Sequence, residues 1–146
     1  MRTRNVALLT TMVACALFTG SAAYGFNQED LNTLIATGEC AHCDLSGANL
    51  SGLVLNGRDL VGSDLSNANL SGANLSGTDM NGVNLSGASL NGAILSGTDL
   101  SGTDLTGADL SGATLTDTNL DGVKLDNTFW TDGSTCQPGS VQQCAQ

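Results

Sequence analysis

Cys40-Ala41-His42-Cys43 gathers two thiols and an imidazole within four residues. Three chemistries use such a set. A redox-active Cys-x-x-Cys needs a βαβ setting, and the surrounding sequence offers none. A structural zinc takes four ligands, of which this segment supplies three. A disulfide needs α-carbons roughly 4.4–6.8 Å apart, which residues flanking a tight turn satisfy. The disulfide is the expectation, with metal and redox chemistry as the alternatives. Haem attachment fails, because Asp44 and not histidine follows Cys43. Cys136 and Cys144 flank Gln137-Pro138-Gly139-Ser140, a turn-like stretch, and a second local bridge is expected there.

Little else suggests catalysis. His42 is the one histidine, and the many serines and threonines recur at fixed places rather than in a triad. The chain is expected to be non-enzymatic and to need no cofactor or catalytic metal.

The acids are distributed less blandly. The sequence holds 14 acids against 4 bases, a net charge of −10. Such a surface repels nucleic acid, whose binding rests on cationic contacts to phosphate. At a spacing of twenty residues, Asp59, Asp79 and Asp99 fall in one column and Asp44, Asp64 and Asp104 in another. Val54, Asn74, Ile94 and Thr114 form a column without charge. Two readings compete: acid as a solubilising residue of a repeat, or a rail for a basic partner or divalent cations.

Those columns exist only if something brings every twentieth residue together. From Leu45 to Leu125 every fifth residue is leucine, except Met80. Two places before each leucine stands mostly a small residue, such as Ala48, Ala68, Ala88 and Ala108, and one place before it mostly Asp or Asn. Two places after it, from Gly47 to Gly122, stands glycine, replaced only by Asn67 and Asp117. A period of five fits neither a helix nor a plainly alternating strand. Glycine, Asn and Asp are the residues that enter positive φ most readily, as the third position of a type II turn requires. Each pentapeptide is therefore a short extended piece and a corner. Columns that agree at spacing twenty, such as Thr78, Thr98 and Thr118, imply four pentapeptides per coil.

The repeat Ala-(Asp/Asn)-Leu-X-X, as in Ala48-Asn49-Leu50-Ser51-Gly52 and Ala108-Asp109-Leu110-Ser111-Gly112, resembles the pentapeptide-repeat family. The resemblance implies an all-β fold: a right-handed quadrilateral parallel β-helix with leucines and small residues inside. Some members of that family are acidic rods that mimic DNA and bind or inhibit a type II topoisomerase.

The flanks have other compositions. Residues 1–25 read as a signal peptide: Arg2 and Arg4, an apolar run from Val6 to Phe18, then small residues up to Gly25. Met12-Val13-Ala14-Cys15 is only a faint lipoprotein box in mid-run. Cleavage near Gly25 would leave Arg58 and Lys124 against the 14 acids, no transmembrane anchor and an even set of cysteines. Residues 26–42 are expected to form an N-terminal cap: a helix with Asn27 as N-cap, Phe26 stapled to Leu31, and Leu31, Leu34 and Ile35 over the first coil. The solenoid spans 43–128. Residues 129–146 form a C-terminal cap, with Phe129 and Trp130 lying over the last coil. Arg58 stands where a small inward residue belongs, so either the first coil is irregular there or Arg58 reaches out between turns, toward Glu39 or Asp59.

The function expected from these features is an exported structural or protein-interaction scaffold, in the periplasm or an equivalent lumen, with the acidic columns as its candidate interaction surface. The alternative is the topoisomerase-binding rod, against which the leader counts.

Overall fold

A computed structural model of the chain describes residues 25–144. The expected leader lies, but for Gly25, outside them. No helix among the described residues is long and apolar enough to cross a membrane.

Successive parallel bridges join residues twenty apart, and they run down four sides. The Asp79 side carries Glu39, Asp59, Asp79, Asp99 and Asn119. The Asn84 side carries Asp44, Asp64, Asn84, Asp104 and Lys124. The Ser89 side carries Asn49, Asn69, Ser89, Asp109 and Phe129; the Ile94 side carries Val54, Asn74, Ile94 and Thr114. Each rung is made twice, as where Leu65 N–H donates to Asn84 O at 2.8 Å and Asn84 N–H to Ser63 O at 3.0 Å. The ladder begins at Glu39, ahead of the boundary expected at residue 43, because Cys40 N–H already donates to Asp59 O.

The corners explain the glycine column. Gly97 has φ 69°, and Asn67 and Asp117 hold the same conformation at 57° and 56°. His42 (60°) and Asn127 (56°) extend the series beyond the glycines at both ends. Inside the coil, leucines such as Leu65, Leu85 and Leu105 are fully buried, each worth roughly 1.5–3 kcal/mol relative to exposure. Alanine at the second inward position leaves room for them.

Helix α1 spans Gln28–Thr37. Asn27 Oδ1 accepts the Glu29 N–H, and Gly38 ends the helix in the left-handed conformation. Leu31 and Leu34 are buried on the solenoid core, but Ile35, expected beside them, is 40% exposed. It is one position round from Leu34, on the flank of the apolar stripe.

The other end closes differently from the expectation. Phe129 is 47% exposed, since it takes the outward Asp/Asn place and its N–H continues the ladder to Ala108 O. Trp130 takes the leucine place and packs against the core. What covers part of the last coil is the returning chain, whose Val141 and Thr135 bridge Lys124 and Phe129 in antiparallel sense. A returning antiparallel segment satisfies edge groups that would otherwise be left open.

Candidate functional site: the acidic sides

Each outward Asp or Asn is placed by its own corner. Its Oδ1 accepts the backbone N–H two residues on: Asp64 from Ser66 at 2.9 Å, Asn74 from Ser76 at 3.1 Å, Asp99 from Ser101 at 2.9 Å. The carboxylate and the carboxamide perform this bond equally, which is why the repeat accepts either. At Asp99 the Ser101 hydroxyl adds a second bond at 2.6 Å.

The two acidic columns lie on adjacent sides. On the Asp79 side Glu39, Asp59, Asp79 and Asp99 follow one another without interruption, and Asn119 closes the row by donating to Asp99 at 3.1 Å. Glu39 belongs to this row although the sequence pattern, read from residue 43, omits it. Neighbouring rungs are about 4.8 Å apart, where two unit charges repel by about 0.9 kcal/mol in water. The Asn84 side is less uniform. Asn84 stands between Asp64 and Asp104 and donates to Asp64 at 3.2 Å; Lys124 pairs with Asp104 at 3.3 Å. Asp44, Asp64 and Asp104 thus share a side but are not one continuous row. Lys124–Asp104 is the ion pair found among the described residues. The Ile94 side bears no charge, and Val54 is 66% exposed on it.

The Ser101 hydroxyl and N–H hold the Asp99 carboxyl below its ordinary value of 3.8. Asp104 is also lowered: partial burial pushes it up, but its hydrogen bonds to Thr106 and the Lys124 ammonium outweigh that. These groups are carboxylates at neutral pH.

The cysteines form two disulfides, Cys40–Cys43 with α-carbons 5.4 Å apart and Cys136–Cys144 at 4.8 Å. Cys40 takes the leucine place and Cys43 the small place, so the first bridge fills core volume that Leu and Ala fill elsewhere. Its sulfurs are bonded to each other and so are not thiolate ligands. Among the described residues no group of His, Cys, Asp and Glu could hold a metal ion.

Arg58 corrects its expectation. Among the described residues no carboxylate lies within ion-pair distance of it, and its guanidinium packs on Gly38 at the C-terminus of α1. That helix has no basic residue in its last turn, so Arg58 brings positive charge to the negative end of the dipole.

Sequence reasoning missed two polar devices. Buried Thr78, Thr98, Thr103 and Thr128 each donate Oγ1 to the carbonyl 23 residues earlier; Thr98 reaches Leu75 O at 2.7 Å. The column Thr78, Thr98, Thr118 was the signal for it. Asp30, on α1, accepts the Asp44 N–H at 2.8 Å, closing one edge of the first coil.

This architecture defines a class: a four-sided pentapeptide solenoid. The family model for pentapeptide repeats matches in eight copies, over residues 43–82, 59–97 and 93–129. The chain belongs to the pentapeptide-repeat family. Similar solved structures are pentapeptide repeat proteins too. One from Nostoc PCC 7120 is 35% identical, covering 72% of this chain and 79% of its own, with a TM-score of 0.43. One from the cyanobacterium Cyanothece 51142 is 29% identical over 70% and 97%, TM-score 0.44. A third, from the Arabidopsis thaliana thylakoid lumen, is 34% identical over 64% and 66%, TM-score 0.37. No curated protein matches the chain.

Proposed function

We propose that the protein is an exported, non-enzymatic interaction scaffold whose acidic sides receive a basic surface of another protein. The observation that carries this reading is the uninterrupted row Glu39, Asp59, Asp79, Asp99, beside a second acidic side and across the rod from sides with few or no charges. A ladder holds such charges at fixed spacing without any ordering cost on binding, so a rigid basic partner meets a preorganised surface. Export is supported by the basic, apolar and small-residue order of residues 1–25 and by two disulfides, bonds that persist in oxidising compartments.

The topoisomerase-binding alternative rests on the family resemblance and requires the protein to share the cytoplasm with its target. Cell fractionation with N-terminal sequencing separates the two readings. The scaffold reading expects a chain starting at Tyr24 or Phe26 outside the cytoplasm; an intact Met1 on soluble cytoplasmic protein would overturn it.

A further inference from the structure

Five Asx-Gly pairs lie at turns of the described chain: Asn56-Gly57, Asn81-Gly82, Asn91-Gly92, Asp121-Gly122 and Asp132-Gly133. Such pairs cyclise when the glycine nitrogen attacks the side-chain carbonyl carbon, because glycine offers no β-carbon to hinder the approach. The attacking nitrogen must first be released from any hydrogen bond it donates.

In four of the five pairs it is held. Gly57, Gly82 and Gly92 N–H donate to Ser76, Ser101 and Ser111 O at 2.9, 2.8 and 3.0 Å in the ladder. Gly133 N–H donates to Trp130 O at 2.8 Å, and the Asp132 carboxylate is bound by Ser134 N–H and Oγ at 2.9 and 2.6 Å. Gly122 differs. It lies in the last coil, where the returning segment bridges Lys124 and Phe129 and its Gln142 N–H reaches Val123 O. Among the described residues no acceptor takes its N–H. Asp121 is exposed, and among the described residues its carboxylate receives only the Gln142 side chain at 3.4 Å.

We infer that Asp121-Gly122 is the site of spontaneous isoaspartate formation in the folded protein. The Asp121 carboxylate takes a proton from water, Gly122 N attacks its Cγ, the N–Cγ bond forms, the Cγ–OH bond breaks, and the hydroxyl leaves as water with the amide proton. Water then reopens the succinimide at either carbonyl, giving Asp or isoaspartate. No oxidant or reductant is involved. The three Asn-Gly pairs, faster as free peptides, are protected because a rung must open before each nitrogen is available.

The test ages the folded protein at neutral pH in water enriched in heavy oxygen, followed by peptide mapping for label and isoaspartate. A parallel sample is denatured and reduced. In the folded sample Asp121 should take up label about tenfold faster than Asp132, with Asn56, Asn81 and Asn91 intact, because only the Gly122 nitrogen reacts without local opening. In the denatured sample the three asparagines should react first. Folded-state deamidation of those asparagines ahead of Asp121, or equal labelling of Asp121 and Asp132, would overturn the assignment.

Discussion

The guanidinium of Arg58 lies against the α-carbon of Gly38, so closely that a β-carbon on Gly38 would overlap it. One residue closes the helix in the left-handed conformation; the other, from the first coil, occupies the space that its missing side chain leaves. The first coil and the end of α1 are therefore joined in one structural device.

Gly38→Ala should destabilise by about 2 kcal/mol or more, combining positive-φ strain with displacement of Arg58. Arg58→Ala in that background should recover the collision part only. Thermal melts of the two single variants and the double would show this as non-additivity; strict additivity would remove the contact from the account.

At mid-rod, strain acts without collision. A β-carbon on Gly97 meets nothing closer than Gly77 N at 4.0 Å. Gly97→Val should still cost about 2 kcal/mol or more, since a β-branched residue resists φ 69°. Gly97→Asn should cost about 1 kcal/mol or less, since Asn67 holds a corner of the same kind. Ser96→Ala should be nearly silent. Equal effects from all three, read as denaturation midpoints, would contradict the corner assignment.

Thr98→Val keeps the shape of a fully buried side chain and deletes its bond to Leu75 O. A loss of about 1 kcal/mol is expected in urea unfolding. No loss would mean that the threonine column is packing alone.

The lowered carboxyl of Asp99 has a defined pH consequence. A folded-state value below 3.8 means that its stabilisation is complete above that pH and is lost as pH falls below it toward the lowered value. Asp99→Asn keeps an oxygen acceptor for Ser101 and removes the titration. Between about pH 4 and pH 2 the variant should lose less stability than the parent. Parallel melting curves over that range would contradict the assignment.

Much of the solenoid was legible in the sequence because a pentapeptide fixes each residue's place by steric demand. Leucine goes inward, glycine or Asn goes to positive φ, and Asp or Asn braces the corner. Legibility fell where one residue type serves two places. Phe129 looks like a lid by hydrophobicity, yet its repeat position sends it outward, while Trp130 beside it goes in. Ile35 failed by one helical position. Arg58 was not legible because a charged residue at an inward place suggests a nearby acid, whereas its neighbour is the C-terminal end of α1 at Gly38, about twenty residues earlier in sequence. The acidic sides were readable as columns, but Glu39 needed the true start of the ladder, and Asn84 interrupts a row that skipping one rung had made continuous.

The central claim is that the acidic sides bind a partner by charge. Asp79→Asn, Asp99→Asn and Asp104→Asn together keep the corner bonds and remove three charges, so folding should persist with at most a small loss, as Asp104 gives up its exposed pair with Lys124 while repulsion falls. Asn74→Ser with Thr114→Ser alters the uncharged Ile94 side as a control. Parent, triple variant and control are used to capture protein from periplasmic extract at low and high salt, with thermal melts alongside. Binding by the parent and control that weakens with salt and is lost in the triple variant is the predicted result, since exposed charges are screened beyond about 8 Å at physiological ionic strength. Partners held equally by all three proteins at both salts would contradict the claim and leave the acids as a solubility device.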